Sequence, residues 1–216
     1  VRPPPPQHLP PPPTSSRLSP GPLPFPPLSR SAPPLHPKTP FHRVPPAMSN
    51  QQSQAGLLLL RQLKELNKND DLGFSAGLVN DTNPFEWSII LTGPPDSLYD
   101  GGFFKATLSF PHDYPVMPPV MKFDSEMWHP NIYKDGKVCI SILHPPGNDP
   151  NEYEQASERW MPVHTVESIL LSVISMLSSP NFESPANIDA AKDWRESKEN
   201  FKKKVRRTVR KTLEDF

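Results

Sequence analysis

The sequence predicts an α+β domain with an N-terminal helix, a four-stranded antiparallel meander sheet, a long irregular active-site crossing and C-terminal helices. Three observations predict it. A leucine stripe of helical period opens the folded region, short runs of β-favouring residues separated by turn sequences follow, and helical periodicity returns only near the end. Strands grouped together in the chain, with helices before and after them, are typical of the α+β class.

Proline divides the chain into two unlike parts. Residues 1–47 hold 19 of the 33 prolines and no Asp or Glu, so they cannot bury enough apolar surface to offset chain entropy. We predict a disordered, polyproline-like tail there and a folded, mildly acidic domain over residues 48–216. The tail can be a solvated extension or leader sequence before Met48, an organelle transit peptide, or a ligand for proline-binding domains.

The folded part is predicted to begin with a helix over residues 54–67, because Leu59, Leu63 and Leu66 share one face. Strands are predicted next, because β-favouring runs alternate with the turn sequences DTNP and GPPDSLYDGG. Short strands joined in this way form an antiparallel meander. The four predicted strands span residues 74–80, 85–92, 104–110 and 120–123.

A proline-rich loop, FPHDYPVMPP at residues 110–119, separates the third and fourth strands. Four prolines in these ten residues exclude a helix or an inner strand, and Tyr114-Pro115 is a candidate cis peptide bond. Residues 128–160 show little regular pattern. A loop of that length inside a compact domain is usually functional.

Three helices are predicted after Pro162. Thr165 is expected to cap the first, whose buried stripe contains Ile169, Val173 and Met176. The other two are predicted near residues 185–196 and 197–214, the last with Phe201, Val205, Val209 and Leu213 recurring every four residues.

Cys139 is the single cysteine, so the chain can form neither an internal disulfide nor a multi-cysteine metal site. We therefore expect a reducing compartment, cytoplasmic or also nuclear. No run of about 18 apolar residues occurs, which predicts that nothing spans a membrane.

The setting of Cys139 favours a nucleophile, although a lone cysteine is more often a small buried hydrophobe. It follows a polar segment with a turn at Asp135-Gly136, so its thiol is expected to be partly exposed. His129, in an HPN turn, is assigned a structural hydrogen bond. No spacing requires a Cys–His pair, although one can form in space. A thiol of ordinary pKa suits attack on an already activated ester.

Four motifs in order resemble those of ubiquitin-conjugating enzymes: FPHDYPVMPP, then WHPN, then Cys139 eight residues after Asn131, then Trp160 with Pro162. The resemblance covers about residues 57–213 and implies that family's fold. It implies that Cys139 accepts ubiquitin as a thioester from an activating enzyme. It also implies transfer to a lysine of a substrate or of another ubiquitin, with a ligase, of the RING type, bound. No metal, nucleotide or organic cofactor is implied.

The resemblance also implies roles for residues near the thiol. Asn131 would donate an amide N–H to the transfer oxyanion, which contributes about 3 kcal/mol, or would hold the loop through hydrogen bonds to the backbone; both alternatives stay open. Ser184, in SSPNFESPAN, matches the family's gate position for the attacking lysine, or is the N-cap of the next helix. Ile140 would cradle the ubiquitin tail.

The segment between Cys139 and Trp160 is longer than in the smallest members of the family and resembles the acidic-loop subgroup. Several members of that subgroup build degradative ubiquitin chains. An acidic loop near the thiol could attract a lysine or a basic surface of the acceptor, and a solvated charged loop is the alternative. Its carboxylates are Asp149, Glu152, Glu154 and Glu158.

Partner surfaces also carry over by position. Arg61 and Lys64 on the first helix would face the activating enzyme. The ligase surface would combine that helix with an apolar patch, which suits a transient interface. The residues of the patch are Val116, Met161, Pro162 and Val163.

Rival functions remain at this stage. The chain could conjugate another ubiquitin-like modifier, or act as an adaptor through its proline-rich tail. A cysteine protease would cleave peptides without an activating enzyme or ATP. The basic run over residues 202–211 is interpreted as a solvated helix face, so no nucleic-acid partner is expected.

Overall fold

The computed structural model describes residues 53–68, 72–149 and 154–214. The predicted tail over residues 1–47 lies outside the described residues, and so does Glu152. The α+β prediction is confirmed. In chain order the elements are α1 (Gln54–Leu66), β1 (Phe74–Asn80), β2 (Asn83–Thr92), β3 (Phe103–Ser109), β4 (Val120–Phe123), α2 (Val166–Ser178), α3 (Ile188–Glu196) and α4 (Lys198–Glu214).

Helix α1 begins where Ser53 accepts a hydrogen bond from the backbone N–H of Gly56 at 3.0 Å. This contact satisfies one of the backbone donors that a helix start leaves unpaired. The predicted leucine stripe faces the protein interior, with Leu59 and Leu66 buried and Leu63 packed against the core. Burial of this face holds α1 against the sheet.

The sheet has the predicted antiparallel order β1-β2-β3-β4. Strand β2 shows why one face of the sheet forms the core: Trp87, Ile89 and Leu91 are fully buried, while Glu86 and Ser88, on either side of Trp87, are exposed. Alternation of this kind places every second side chain on the same face. The predicted strand ends differ from the observed ones by at most two residues.

Helices α2 and α4 follow the predictions closely. Thr165 caps α2 in a reciprocal pair with Ser168, and the predicted apolar stripe is buried. In α4, Phe201 and Val205 are buried, but Leu213 is 53% exposed, so the stripe leaves the core near the end of the helix.

Helix α3 starts three residues later than predicted. Asn187 is its N-cap, since the side-chain oxygen of Asn187 accepts from the backbone N–H of Ala190 at 3.1 Å. The alternative that Ser184 caps this helix is therefore wrong. Asn187 also donates its own backbone N–H to the carbonyl of Pro130 at 2.8 Å, which ties the helix start to the HPN turn.

The predicted irregular crossing between β4 and α2 contains a short 3-10 helix at Ser141–Leu143. Before it, the chain bends at Gly136, whose φ of +91° is unfavourable for other residues. A Cβ at Gly136 would lie 2.1 Å from the carbonyl oxygen of Phe123, so the bend packs directly on β4. The predicted cis bond at Tyr114-Pro115 is present. Within the described part of the chain, no helix is both long and apolar enough to cross a membrane.

Candidate active site

Cys139 lies on an extended segment that is fixed from both sides. Its backbone N–H donates to the carbonyl of Asn131 at 2.9 Å, and the N–H of Val138 donates to Met121 on β4 at 2.9 Å. Val138 is buried, whereas Cys139 is half-buried. The prediction of a partly exposed thiol is confirmed, and the backbone that carries it is anchored to the sheet.

His129 is fully buried beneath the site. Its Nδ1 accepts from the backbone N–H of Asn131 at 2.9 Å, so the proton is on Nε2, which donates to the carbonyl of Met176 at 3.1 Å. Burial lowers the pKa of His129 to about 4. His129 is therefore neutral at physiological pH, and its predicted structural hydrogen bonding is confirmed.

Asn131 holds the loop that precedes α3. Its side-chain Nδ2 donates to the carbonyl of Asn181 at 2.7 Å, and its Oδ1 accepts from the backbone N–H of Asn181 at 2.8 Å. The side chain is almost fully buried. The structural alternative is thus present in the molecule. An amide nitrogen carries two N–H groups, so the contact with Asn181 leaves one that can serve an oxyanion.

His144, which was not singled out in the sequence, is the side chain that contacts the thiol. Its Nε2 lies 3.6 Å from Cys139 Sγ, and its Nδ1 lies 2.8 Å from both carboxylate oxygens of Glu154. Ser141 donates to the same carboxylate at 3.0 Å. Glu154 is therefore a fixed part of the site and not a solvated loop residue. The sequence feature that could have identified His144 is its position, five residues after the cysteine and just before the acidic loop.

The Cys139–His144 contact changes the acidity of both groups. The hydrogen bond to Cys139 is the largest cause that raises the pKa of His144 to about 9, and Glu154 acts in the same direction. The hydrogen bond from His144 in turn lowers the pKa of Cys139, against the opposite effect of burial. The expectation of a thiol with ordinary pKa is wrong. The contact thus stabilises the thiolate of Cys139 and the imidazolium of His144 relative to their neutral forms.

Two hollows meet at the thiol. The first, which we call the acidic cleft, has a volume of about 760 Å³, and Ile140 lies on its wall beside Cys139. The second, the apolar groove, has a volume of about 440 Å³ and is bounded by the proline-rich loop, Val138 and Leu143. The remaining sequence-predicted residues that line the acidic cleft are Asn131, Asp149, Glu154, Glu158 and Ser184.

Three separate segments that carry the predicted partner surfaces are joined below the surface. Gln62 on α1 accepts from the Tyr114 hydroxyl and from the backbone N–H of Val166, both at 3.1 Å. Trp160 donates its indole N–H to the carbonyl of Pro115 at 2.9 Å. The residues predicted to bind the activating enzyme and the ligase are all exposed: Arg61, Lys64, Val116, Met161, Pro162 and Val163.

Comparison with known proteins gives concordant results. The family model described as ubiquitin-conjugating enzyme matches residues 58–209. The chain is 65% identical over 164 residues to ubiquitin-conjugating enzyme E2 7 of Arabidopsis thaliana, covering 76% of this chain and 99% of that protein. It is 65% identical over 157 residues to ubiquitin-conjugating enzyme E2 15 of Schizosaccharomyces pombe, covering 73% and 94%. A solved structure of human ubiquitin-conjugating enzyme E2 G1 is similar with 57% identity and a TM-score of 0.52, covering 59% of this chain and 98% of that one.

Proposed function

The chain belongs to the family of ubiquitin-conjugating enzymes, and from that premise we propose that Cys139 carries ubiquitin and passes it to lysines that enter through the acidic cleft. Enzymes of this family transfer ubiquitin through a cysteine thioester, and this chain has one cysteine. The observation that carries the proposal is the pair of contacts in which His144 joins Cys139 to Glu154. All three residues line the acidic cleft.

Loading uses the thiolate. Cys139 Sγ attacks the thioester carbonyl of ubiquitin on the activating enzyme, and the thiolate of that enzyme leaves. One thioester replaces another, so the step needs no strong base. Because the imidazolium of His144 stabilises the thiolate of Cys139, a larger fraction of the sulfur is nucleophilic near neutral pH.

Transfer uses the same histidine in a different state. Once Cys139 is acylated, its sulfur has no charge and no longer stabilises the imidazolium, which was the largest cause of the raised His144 pKa. The pKa of His144 therefore falls on loading, and Nε2 becomes able to accept the proton of an attacking lysine. Glu154 keeps the ring oriented through Nδ1. The second N–H of Asn131 stabilises the oxyanion, which contributes about 3 kcal/mol.

The acidic cleft selects what reaches the thioester. Asp149, Glu154 and Glu158 line it together with Ser184, and clustered carboxylates raise the local concentration of a cationic ligand. We infer that the favoured acceptor is a lysine on a basic surface, including a lysine of a second ubiquitin, and that the products are degradative chains. Ser184 assists by placing and desolvating the lysine, since its hydroxyl has no charge.

Two partner surfaces complete the proposal. Arg61 and Lys64 of α1 face the activating enzyme. A RING-type ligase binds the exposed apolar residues Val116, Met161 and Val163, with Pro162, and Gln62 and Trp160 fix their relative positions. Because its single cysteine must remain reduced to act, we place the enzyme in the cytoplasm, and also in the nucleus.

A loading assay tests the proposal. The protein is incubated with activating enzyme, ATP and ubiquitin, and a reductant-sensitive adduct is expected. Cys139→Ser should give a reductant-resistant ester, and Cys139→Ala should give no adduct. If the wild-type protein stays unmodified, or if it cleaves peptides without ATP and activating enzyme, the assignment is incorrect. Removing residues 1–47 should leave loading unchanged; loss of loading would support a function centred on the tail.

A further inference from the structure

We propose that the outward side of α4 binds the surface of an anionic phospholipid membrane through four unpaired cations. We call this set the basic face, and its members are Lys203, Arg206, Arg207 and Arg210. The basic face takes no part in the catalytic site, because no described residue of α4 lines the acidic cleft or the apolar groove.

Positive charge is concentrated on α4. The helix has eight Lys or Arg and two Glu, whereas residues 48–216 together have 18 Lys or Arg and 23 Asp or Glu. An acidic domain therefore places nearly half of its cations on one helix of 17 residues. A charge asymmetry of this kind is typical of a surface that meets a polyanion.

The fold divides these cations into two groups. Three on the flanks of α4 contact carboxylates of their own: Lys202–Glu199, Lys204–Asp193 and Lys211–Glu126. The four members of the basic face are all exposed, and within the described part of the chain none of them has an ion pair or a side-chain hydrogen bond. The unpaired positive charge of α4 is thus collected on its outward side.

The spacing of the basic face opposes helix stability. Lys203 and Arg207 lie four residues apart, and so do Arg206 and Arg210. Like charges at this spacing are neighbours on the helix surface and destabilise the helix. Cations in a last turn can interact favourably with the helix dipole, but Lys203, Arg206 and Arg207 lie in the middle of α4. Because packing gains nothing from exposed charges that repel each other, a partner of opposite charge accounts for them.

A membrane fits this face better than a nucleic acid does. Helix α4 packs against β3 and α3, so it cannot enter a duplex groove as a separate helix. Its exposed residues include no aromatic side chain on which a base could stack. Leu213, three residues beyond Arg210, lies on the same side and is 53% exposed. Cations beside an exposed aliphatic side chain suit the boundary between lipid headgroups and acyl chains.

Four cations predict weak, reversible binding. Each Lys or Arg near an anionic membrane surface strengthens binding about fivefold, so four give a dissociation constant of about 1 mM accessible lipid. The attraction extends over about 8 Å at physiological ionic strength, so the face must approach the headgroups closely. The contact would concentrate the enzyme at anionic membranes without occupying the acidic cleft.

Cosedimentation with vesicles tests the basic face. The full-length protein is mixed at low ionic strength with vesicles of phosphatidylcholine and phosphatidylserine in a two-to-one ratio. Half of the protein should sediment at about 1 mM accessible lipid, and added salt should release it. Vesicles of phosphatidylcholine alone should sediment none of it. The combined change Arg206→Gln, Arg207→Gln and Arg210→Gln should weaken binding about 100-fold.

The matched control removes three positive charges from a different helix: Arg61→Gln, Lys64→Gln and Lys68→Gln on α1. This variant should bind the vesicles as the wild type does, which excludes a general effect of net charge. The α4 variant should unfold at the same urea concentration as the wild type or a higher one, because the like-charge pairs are removed. Its loss of binding then does not result from misfolding.

Three outcomes would overturn the membrane assignment. The first is equal binding by the wild type and the α4 variant, as expected if residues 1–47, with five Lys or Arg and no acid, carry the binding. The second is failure of the wild type to sediment with the anionic vesicles. The third is displacement from the vesicles by a short DNA duplex at the same phosphate concentration, which would identify a nucleic acid as the better partner.

Discussion

Replacing His144 with glutamine tests whether the imidazolium sets the reactivity of the thiol. Glutamine has similar reach but carries no charge, so His144→Gln removes the positive partner 3.6 Å from Cys139 Sγ. A hydrogen bond to a charged group contributes about 1.5–3 kcal/mol, and the lower figure applies here because the site is half open to solvent. About 1.4 kcal/mol corresponds to a factor of ten. We therefore expect roughly tenfold slower alkylation of the thiol near pH 7.

The assay is the rate of alkylation of the free enzyme by iodoacetamide as a function of pH. In the wild type the rate should rise at lower pH than for an ordinary thiol, because the hydrogen bond from His144 lowers the pKa of Cys139. The rise should move to higher pH in His144→Gln. His112→Gln is the matched control, since His112 is exposed and packs on Phe85, apart from the thiol.

Replacing Glu154 with glutamine tests how much the carboxylate that contacts His144 contributes to the alkylation rate of Cys139. Glu154 supports the imidazolium through Nδ1, but its own charge also disfavours the thiolate. These effects oppose each other, so Glu154→Gln should alter alkylation less than His144→Gln does. If His144→Gln alkylates at the wild-type rate across the whole pH range, the thiolate–imidazolium pair does not exist in solution.

The remaining predictions concern three parts of the site. Asn131→Asp, which removes the N–H donors, should slow discharge to lysine about 100-fold in single-turnover assays while loading persists, consistent with about 3 kcal/mol; an unchanged discharge rate would leave Asn131 only its structural role. The pKa of His129 is about 4 when folded and about 6.5 when unfolded, so stability is fully present above pH 6.5 and declines as the pH falls toward 4. The free energy of unfolding from urea titrations should decrease by about 3 kcal/mol over that range, and a flat profile would refute a buried neutral imidazole. The combined change Asp149→Asn and Glu158→Gln should slow discharge to free lysine at low ionic strength, and added salt should reduce the difference; equal rates at all salt concentrations would count against attraction by the cleft.

Patterns along the chain were sufficient to predict most of the architecture. The leucine stripe of α1 and the cap at Thr165 each depend on neighbours within a few residues, and both appear as predicted. The start of α3 was predicted too early because Ser184 and Asn187 are both good N-caps locally. At the observed start of α3, the backbone N–H of Asn187 donates a hydrogen bond to Pro130, which lies 57 residues earlier in the chain.

The sequence by itself determined the fold class, the place of Cys139 after a glycine turn, and the family to which its motifs point. Only the tertiary structure decided that His144 contacts the thiol, that Glu154 holds His144, and that Asn131 binds Asn181. The physical reason is that periodicity and turn chemistry are local properties of the backbone, whereas the acidity of a thiol depends on charges and burial within a few ångströms of the sulfur. Those neighbours are brought together by the irregular crossing and by the loop before α3. These segments have no repeating sequence pattern from which the contacts could be predicted.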